Sequence, residues 1–391
     1  MTAFRIIESV MFCLSLAGVL YLLIFALASL RKHRTDVPKS GNPKRTAVII
    51  PAYREDEVVE MSAAAMLAQD YPGEMYDVIV ISDRMKPETD RRLEESGVIV
   101  LKAGFENSSK AKALNFAVER LKGRGYETAV IMDADNTAPP DFLRLMNDAR
   151  EAGMTAVQAH RRAQNLDSDT AVLDAVSEEI NNSVFRLGHV NLGFSSALIG
   201  SGMAFDYEWF ETNIPHVSSA GEDKELEALL LRQGLYIGYM PDAEVFDQKT
   251  RRERAFYRQR RRWLAAQLQM FGRTAREFPG ALLARNYDYC DKMLQWIMPP
   301  RVVLLGFIGL SAVTVTAVAG MSSVKWWGLL TAMLFALCAA VPDYLVGPPF
   351  YRAMRKVPLL GFLMFLNLFR LRGAGGKFIH TEHSDQSSAQ I

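Results

Sequence analysis

The chain has 391 residues, enough for one sizeable catalytic domain together with membrane segments. Its formal net charge of +1 does not indicate a nucleic-acid partner. Its three cysteines, Cys13, Cys290 and Cys338, have neither paired nor metal-type spacing, which argues against a disulfide framework and a zinc site. Apolar residues gather towards both ends, and the polar middle fits a reducing, cytosolic setting.

The first predicted element is a membrane-spanning helix over residues 9–30, an uncharged run long enough to cross the hydrocarbon core. A cleaved signal peptide is the alternative, since Ala26-Leu27-Ala28 resembles a cleavage site. However, the run is longer than a signal core, and Glu8 interrupts the basic leader. Basic residues 31–34 follow at once, so the middle of the chain is predicted to be cytosolic. We therefore expect an anchor over residues 1–34 and an integral protein of the bacterial inner membrane.

The polar middle predicts strands that alternate with helices. Buried, β-branched runs typical of strands occur at residues 46–50, 77–81, 97–101 and 128–132, and helical patterns occur at 57–69 and 115–121. This alternation predicts an α/β fold with a mostly parallel sheet that helices cover on both faces. In such sheets ligands bind at the carboxyl ends of the strands. The residues found there are Pro51-Ala52-Tyr53-Arg54-Glu55, Ser82-Asp83 and Asp133-Ala134-Asp135.

Asp133 and Asp135 flank a single residue at a predicted strand end. Carboxylates this close repel each other unless a cation neutralises them, and Mg²⁺ or Mn²⁺ binds carboxylate and phosphate oxygens together. This D-x-D therefore predicts a metal–diphosphate site, with a solvated turn as the alternative. Asp83 ends another strand, where it can accept hydrogen bonds from a base or ribose or serve as a turn residue.

Charged residues also stand at two predicted helix starts. Lys110 and Lys112 can pair there with a phosphate, although solvated surface lysines are the more common interpretation. Glu222 and Asp223 precede a second helical run, where an acid can cap the helix or act as a general base on an acceptor hydroxyl.

The C-terminal part is predicted to be helical and to lie at or in a membrane. The arginine-rich stretch 251–263 favours a helix that faces solvent or anionic lipid, with Trp263 as a platform for a sugar ring. We predict interfacial helices over 251–300 and a spanning hairpin over 301–346. The apolar stretch 357–369 is short, so an interfacial helix is favoured over a strained span.

Taken in order, these residues resemble glycosyltransferase family 2. They are most similar to its membrane-embedded inverting branch of cellulose, chitin and hyaluronan synthases and ceramide glucosyltransferases. The resemblance covers about residues 44–383 and implies a GT-A (Rossmann-like) nucleotide-sugar-binding domain over 44–250. The donor contacts that it implies in this domain are Pro51, Ala52, Tyr53, Glu55, Asp83 and the element Lys110-Ala-Lys112-Ala-Leu114-Asn115, in which either lysine could reach the donor.

The resemblance also implies roles in catalysis. Asp135, with Asp133, would bind the metal, and Asp223, beside Glu222, would be the catalytic base. The signature Q-x-x-R-W is present as Gln259-Arg260-Arg261-Arg262-Trp263, which would hold the diphosphate and the acceptor sugar.

The tail, which the domain prediction places in 347–391, is similar to the gating loop F-x-V-T-x-K of the family's polymer synthases. It reads Phe378-Ile379-His380-Thr381-Glu382-His383, so Phe378 and Thr381 match while histidines replace Val and Lys. We expect this loop to close over the donor from the cytosolic side.

The resemblance thus implies inverting transfer of a hexose from a UDP-sugar to a glycan acceptor, with Mg²⁺ or Mn²⁺ as cofactor. Gly200-Ser201-Gly202 is predicted near the acceptor, because glycines let backbone approach a sugar closely, with a plain turn as the alternative. Membrane lipids are expected partners, no nucleic acid is, and pairing of two copies is left open. Competing hypotheses are single-sugar transfer to a lipid and an inactive membrane scaffold. A nucleotide-binding oxidoreductase is set aside, since no G-x-G-x-x-G follows the first strand.

Overall fold

The computed structural model describes residues 2–31, 37–219, 221–251 and 253–368. The chain divides into two units, which we call the sheet unit and the helical unit. Of the described residues, the sheet unit contains those of 37–165 and 197–255, and the helical unit contains those of 2–31, 166–196 and 256–368. Residues 166–196 therefore group with the helical unit, although they lie inside the stretch 44–250 that was predicted as one domain.

The described part of the sheet unit contains one mixed sheet. Its seven strands are β1 Thr46–Tyr53, β2 Tyr76–Asp83, β3 Ile99–Ala103, β4 Thr128–Ile131, β5 Ala156–Ala163, β6 Met203–Asp206 and β7 Ile237–Asp247. They are ordered β3-β2-β1-β4-β6-β5-β7 across the sheet. The pairs β1–β2, β2–β3, β1–β4 and β5–β7 are parallel, whereas β6 runs antiparallel to β4 and β5. The predicted mostly parallel α/β sheet is confirmed.

The predicted strand runs are the centres of real strands, with shifted ends. The runs 46–50 and 77–81 continue in register to Tyr53 and Asp83, so Pro51 to Tyr53 belong to β1 itself. The run 97–101 starts two residues early, because Gly97 has φ +94° and still belongs to the turn before β3. β5, β6 and β7 were not predicted, since polar residues interrupt β5, a proline interrupts β7, and β6 has only four residues.

The central strand β1 is a continuous apolar run because both faces of the sheet are buried there. Ile49 and Ile50 point to opposite faces, yet each is 0% exposed.

Some helices belong to the sheet unit and pack on its sheet, and the others form the helical unit. In chain order they are α1 Thr2–Ser29, α2 Val59–Leu67, α3 Pro87–Glu95, α4 Lys110–Leu121, α5 Phe142–Glu151, α6 Asp169–Asn181, α7 His189–Asn191, α8 Tyr207–Asn213, α9 Glu222–Arg232, α10 Glu253–Thr274, α11 Phe278–Leu283, α12 Tyr287–Ile297, α13 Arg301–Ala319, α14 Val324–Ala339, α15 Pro348–Met354 and α16 Val357–Leu368. A π-helical segment, Asn182–Gly188, joins α6 to α7.

Within the described chain, two segments are long and apolar enough to cross a membrane, judged by length and composition. They are Phe4–Ser29 and Arg301–Ala339, and the second contains α13 and α14. The two helices lie within residues 301–346, for which a spanning hairpin stays a prediction, and Gly320 has φ +51° where α13 ends. α16 has 12 residues and is about 18 Å long, well short of a straight span.

The N-terminal helix α1 packs against α14 through a polar contact. The Glu8 carboxylate accepts hydrogen bonds from Lys325 Nζ at 2.8 Å and from the Trp326 indole N–H at 2.5 Å. Trp326 is 1% exposed, and its ring lies edge-on to Phe12 at 5.3 Å. Glu8, which interrupts the basic leader in the sequence, therefore joins α1 to the hairpin.

Candidate active site

The parallel ladder places Tyr53 and Asp83 side by side at the carboxyl ends of β1 and β2. Asp83 is 3% exposed, and its Oδ1 accepts no hydrogen bond from the described residues. A buried carboxylate oxygen without a donor is destabilising. The position therefore suits a ligand that brings N–H or O–H groups, as a nucleobase and a ribose do.

The other predicted contacts of this edge differ in accessibility. Ala52 is 2% exposed and packs in the core of the sheet unit, so its side chain supports the sheet rather than facing a ligand. Pro51 and Glu55 are partly exposed. The Glu55 amide N–H points at Met85 Sδ, at 3.2 Å, which holds the start of the loop after β1 against the end of β2.

Two arginines to which the sequence assigned no role lie at the same edge. Arg54 and Arg84 directly follow β1 and β2, with φ of +57° and +58°. Their guanidinium carbons lie 5.3 and 5.9 Å from the centre of the Tyr53 ring. Left-handed backbone costs a non-glycine residue about 1–2 kcal/mol, and such strain gathers at functional sites. No sequence signal reveals the pair, since arginine is not typical of this conformation.

The D-x-D residues lie on the loop after β4. A turn hydrogen bond joins Asn136 N to Asp133 O at 3.1 Å. The hydroxyl of Ser201 accepts from Asp133 N at 3.0 Å and from Asn136 Nδ2 at 2.7 Å. These contacts with Ser201 hold the loop in place. Asp133 and Asp135 are partly exposed, so both carboxylates stay accessible.

Lys110, at the start of α4, joins the D-x-D loop to the predicted base. Its Nζ donates to Asp133 Oδ1 and to the Gly200 carbonyl at 2.6 Å, and lies 3.5 Å from Glu222 Oε1. Burial by itself lowers the pKa of Lys110, but the charges of Asp133, Glu222 and Asp223 outweigh it and raise the pKa. Lys110 is therefore a fixed cation inside an acidic cluster.

The structure shows different contacts for Lys110 and Lys112, between which the sequence did not decide. Ser109 caps α4 by accepting from Lys112 N at 3.3 Å, so helix geometry turns Lys110 and Lys112 to different sides. Lys112 Nζ donates to the Asn107 carbonyl at 2.8 Å, outside the cluster. In this structure Lys110 alone of the two reaches the acidic residues.

Glu222 and Asp223 are the first two residues of α9, where the helix dipole favours negative charge. Burial raises the pKa of Glu222 to about 7; Lys110 opposes the rise, and Asp223 and Asp133 add to it. Asp223 is partly exposed, and its Oδ1 accepts from the Lys224 amide at 2.9 Å. The two neighbouring acids thus differ: Glu222 faces inward to Lys110, while Asp223 stays accessible.

The raised pKa of Glu222 predicts a pH-dependent stability. Between its ordinary pKa of 4.5 and about 7, the unfolded chain loses a proton that the folded chain keeps. Rising pH therefore favours unfolding across this window. Glu222→Gln should flatten that slope, measured as the unfolding midpoint from pH 5 to pH 7.5, whereas Glu208→Gln on the exposed surface of α8 should not. An unchanged slope in Glu222→Gln would contradict the assignment.

The loop Gly200-Ser201-Gly202 is buried beside the cluster. Gln158 of β5 holds it, since its Nε2 donates to the Ser201 carbonyl at 2.9 Å and its Oε1 accepts from Ile199 N at 3.0 Å. Ser201 is 0% exposed and its hydroxyl is engaged with the D-x-D loop, so its side chain is a support rather than a surface contact. That the loop approaches an acceptor stays a prediction.

Replacing Gly202 by Ala should destabilise the sheet unit. Gly202 has φ +63°, and a Cβ there would lie 2.8 Å from Val245 Cγ2 and 3.2 Å from Ala159 Cβ. We expect about 1–2 kcal/mol for the left-handed backbone and about 1–3 kcal/mol for overpacking. Gly125→Ala is the control, since Gly125 has φ +76° but open space around it. In a chemical unfolding experiment, equal losses for both variants would contradict the packing argument.

The Q-x-x-R-W residues lie on α10, in the helical unit. Burial, with Arg258 nearby, lowers the pKa of Arg262. The ring of Trp263 is 37% exposed, and the Arg260 guanidinium carbon lies 4.9 Å from its centre. Gln259 is partly exposed. The roles predicted for Gln259, Arg262 and Trp263 towards the donor and acceptor stay predictions, and Phe378 and Thr381 of the tail lie outside the described residues.

The donor set at the sheet edge fits a metal that is shared with a substrate. Among the described residues, no group of three or more His, Cys, Asp or Glu could hold an ion by itself. Asp133 and Asp135 do supply hard carboxylate oxygens, and Mg²⁺ is commonly held by one or two carboxylates together with substrate phosphates. Lys110 already neutralises Asp133, and Asp135 as the main metal ligand stays a prediction.

Comparison with known proteins decides the family. A profile described as "Glycosyltransferase like family 2" matches residues 43–266, more than half of the chain. The chain belongs to glycosyltransferase family 2. The match runs from just before β1 to just beyond the Q-x-x-R-W of α10, so it includes every predicted site residue outside the tail.

The relatives of this glycosyltransferase include enzymes that act on different sugars. The N-acetylglucosaminyltransferase of Sinorhizobium fredii is 24% identical over 349 residues, covering 84% of this chain and 79% of the relative. Glucomannan 4-beta-mannosyltransferase 2 of Arabidopsis thaliana is 26% identical over 267 residues, covering 61% of this chain and 47% of the relative. The family membership confirms the predicted enzyme class.

A solved structure supports the fold. The mannosyltransferase PcManGT from Pyrobaculum calidifontis, in complex with GDP-Man and Mn²⁺, has a TM-score of 0.55 to this glycosyltransferase. The two are 20% identical, and the similarity covers 85% of this chain and 97% of that one. This likeness confirms the predicted GT-A fold.

Proposed function

We propose that this family 2 glycosyltransferase transfers a sugar from a UDP-sugar to a glycan acceptor, with inversion at the anomeric carbon. One observation carries the proposal: Lys110, Asp133, Glu222 and Asp223 converge at the carboxyl edge of the sheet. The orphaned Oδ1 of Asp83 lies at the carboxyl end of β2 in the same sheet and suits the nucleotide. A cation, a D-x-D and an accessible acid are the groups that a diphosphate leaving group and an attacking hydroxyl require.

In the proposed reaction the acceptor hydroxyl attacks the anomeric carbon of the donor sugar. Asp223 takes the hydroxyl proton as general base. The bond from the acceptor oxygen to the anomeric carbon forms while the bond to the diphosphate oxygen breaks, and the nucleoside diphosphate leaves with the electron pair. Attack from the opposite side inverts the configuration, so no enzyme nucleophile is involved. Glu222 and Asp133 keep Lys110 charged and fixed in the site.

Asp135, helped by Asp133, would hold Mg²⁺ or Mn²⁺. When bound, such an ion neutralises charge that develops on the leaving diphosphate. The presence of GDP-Man and Mn²⁺ in the similar mannosyltransferase supports a metal and a nucleotide sugar here as well. Arg262 of the Q-x-x-R-W is proposed to add a second positive charge for the diphosphate.

The acceptor and the setting are proposed from the relatives and the apolar helices. Relatives named N-acetylglucosaminyltransferase and glucomannan mannosyltransferase support polysaccharide-type synthesis, with N-acetylglucosamine as the first sugar to test. We propose that α1 and the α13–α14 hairpin span the bacterial inner membrane, with the site cytosolic. The Glu8 contact with the hairpin favours a retained anchor over a cleaved leader.

The test is a donor screen on the full-length protein in detergent. Release of nucleoside diphosphate is measured for each UDP- and GDP-sugar, with Mg²⁺, Mn²⁺ or a chelator, and with chitin oligosaccharides or lipid extract as acceptor. We expect metal-dependent release with one donor, lost in Asp135→Ala. A product longer than one added sugar would indicate polymer synthesis, and a single addition to lipid would indicate the glycolipid alternative. Nucleotide binding without release under any condition would contradict the enzymatic proposal.

A further inference from the structure

Two arginines of the helical unit contact the same face of α6, one turn apart. Arg260 of α10 forms a salt bridge with Asp174 at 2.5 Å. Arg301, the first residue of α13, donates from Nη2 to the Ser177 carbonyl at 3.1 Å and contacts its hydroxyl at 3.3 Å. Because helix residues three apart lie on one face, the two guanidinium groups are neighbours within electrostatic reach.

Positive charge on this face exceeds negative charge. Asp174 neutralises Arg260, and Glu178, one turn further along α6, pairs with Arg186 of the π-helical segment at 3.0 Å. Arg301 has no carboxylate partner in the part of the chain that the structure describes. Among the described residues, these three guanidinium groups therefore have two carboxylate partners.

Donor groups on these arginines also lack acceptors. Arg301 Nη1 and Arg260 Nε are both shielded from solvent without a hydrogen-bond partner in the described chain. Unpaired buried donors are costly, most of all on a charged group. Both side chains are partly exposed as a whole, so a ligand can reach them. An anion with several oxygens would satisfy both the charge and the free N–H groups.

We propose that Arg301 and Arg260 bind the phosphate of an anionic membrane lipid. Guanidinium groups bind phosphate through paired N–H groups. A lipid is the better source than a soluble phosphate, because Arg301 opens the segment Arg301–Ala339, which is apolar enough to span a membrane. Lipid phosphates lie at that boundary. The half-exposed Trp263 beside Arg260 fits the same level, where tryptophan is enriched.

A lipid bound there would bridge the spanning helix to α10. Arg260 belongs to the Q-x-x-R-W segment, while Arg301 begins α13, and both contact α6. The lipid would therefore stabilise the helical unit and orient the signature helix at the membrane. This inference rests on the proposed membrane placement, but not on the sugar-transfer chemistry.

The experiment measures the thermal unfolding midpoint of the full-length protein in detergent against added short-chain lipid. Dioctanoyl phosphatidylglycerol should raise the midpoint of the wild type, and dioctanoyl phosphatidylcholine should not. In Arg301→Gln, the concentration of phosphatidylglycerol that is needed for the same shift of the midpoint should rise about tenfold or more. Arg276→Gln is the matched control, since it removes one exposed arginine of the same unit and should leave the response intact.

Further measurements distinguish a lipid phosphate from a soluble phosphate, and a lost binding site from a misfolded variant. UDP and inorganic phosphate should produce no shift that depends on Arg301; such a shift, without a phosphatidylglycerol response, would overturn the lipid assignment. Arg301→Lys keeps the charge but not the paired N–H groups, so it should unfold at the wild-type midpoint without lipid and retain only part of the response to phosphatidylglycerol. Equal stabilisation by phosphatidylcholine would also overturn the site. Failure of the wild type to insert into phosphatidylcholine nanodiscs would overturn the membrane placement, whatever the transferase assay shows.

Discussion

Asp223→Asn is expected to lower the rate of sugar transfer by about 10²–10⁴-fold, the range that general-base catalysis contributes. Asparagine keeps the shape of the side chain and an oxygen that can accept from the Lys224 amide, as Asp223 Oδ1 does at 2.9 Å. The start of α9 should therefore be unchanged, while the group that takes the acceptor proton is lost. The measurement is the turnover rate with the donor found by the screen.

Donor binding separates a lost base from a damaged site. Metal-dependent binding of the nucleoside diphosphate to Asp223→Asn should stay within about twofold of the wild type, because the proposed base contacts the acceptor rather than the donor. Asp242→Asn removes an exposed acid of the sheet unit and should leave both turnover and binding unchanged. The assignment of Asp223 is falsified if the Asn variant turns over like the wild type.

Lys110→Met should destabilise the protein by about 3–5 kcal/mol, the usual cost of breaking a buried ion pair from one side. The Lys110 side chain is 14% exposed and forms ion pairs with both Asp133 and Glu222. Without it, Asp133 and the buried Glu222 lose the cation between them, and the Gly200 carbonyl loses its donor. Chemical unfolding measures the loss, and donor binding should weaken with it.

Two variants control this prediction. Lys112→Met removes the lysine two residues further on, whose Nζ donates to the local carbonyl of Asn107, so its effect should be below about 1 kcal/mol. Lys110→Met combined with Glu222→Gln should regain part of the lost stability, because one stranded charge is removed. A double variant that is no more stable than Lys110→Met would show that the loss comes from packing rather than from charge.

Both large effects depend on an asymmetry between adjacent acids. Glu222 is buried against Lys110, and its pKa is raised to about 7, whereas Asp223, the next residue of α9, is accessible. A helix start provides this separation, since successive residues point about 100° apart. One acid can therefore hold the cation in place while its neighbour stays accessible, as the proposed role of a general base requires.

The amino-acid sequence by itself determined the elements whose signal is local. The apolar runs around Ile49 and Ile50 predict buried strands because a strand covered on both faces needs no polar alternation. The order of D-x-D, Glu222-Asp223 and Q-x-x-R-W was enough for the family, which the match over residues 43–266 confirms. The two long apolar segments could likewise be predicted from the sequence, because their ability to span a membrane is judged by length and composition.

Only the tertiary structure decided the features that depend on distance between remote residues. It showed that β6 is antiparallel to its neighbours and that Lys110, rather than Lys112, contacts Asp133. It also showed that residues 166–196 group with the helical unit. It also revealed the left-handed arginines beside Tyr53, for which no residue pattern exists. The physical reason is that periodicity encodes burial along one element, whereas charge pairing and backbone strain arise where separate elements meet.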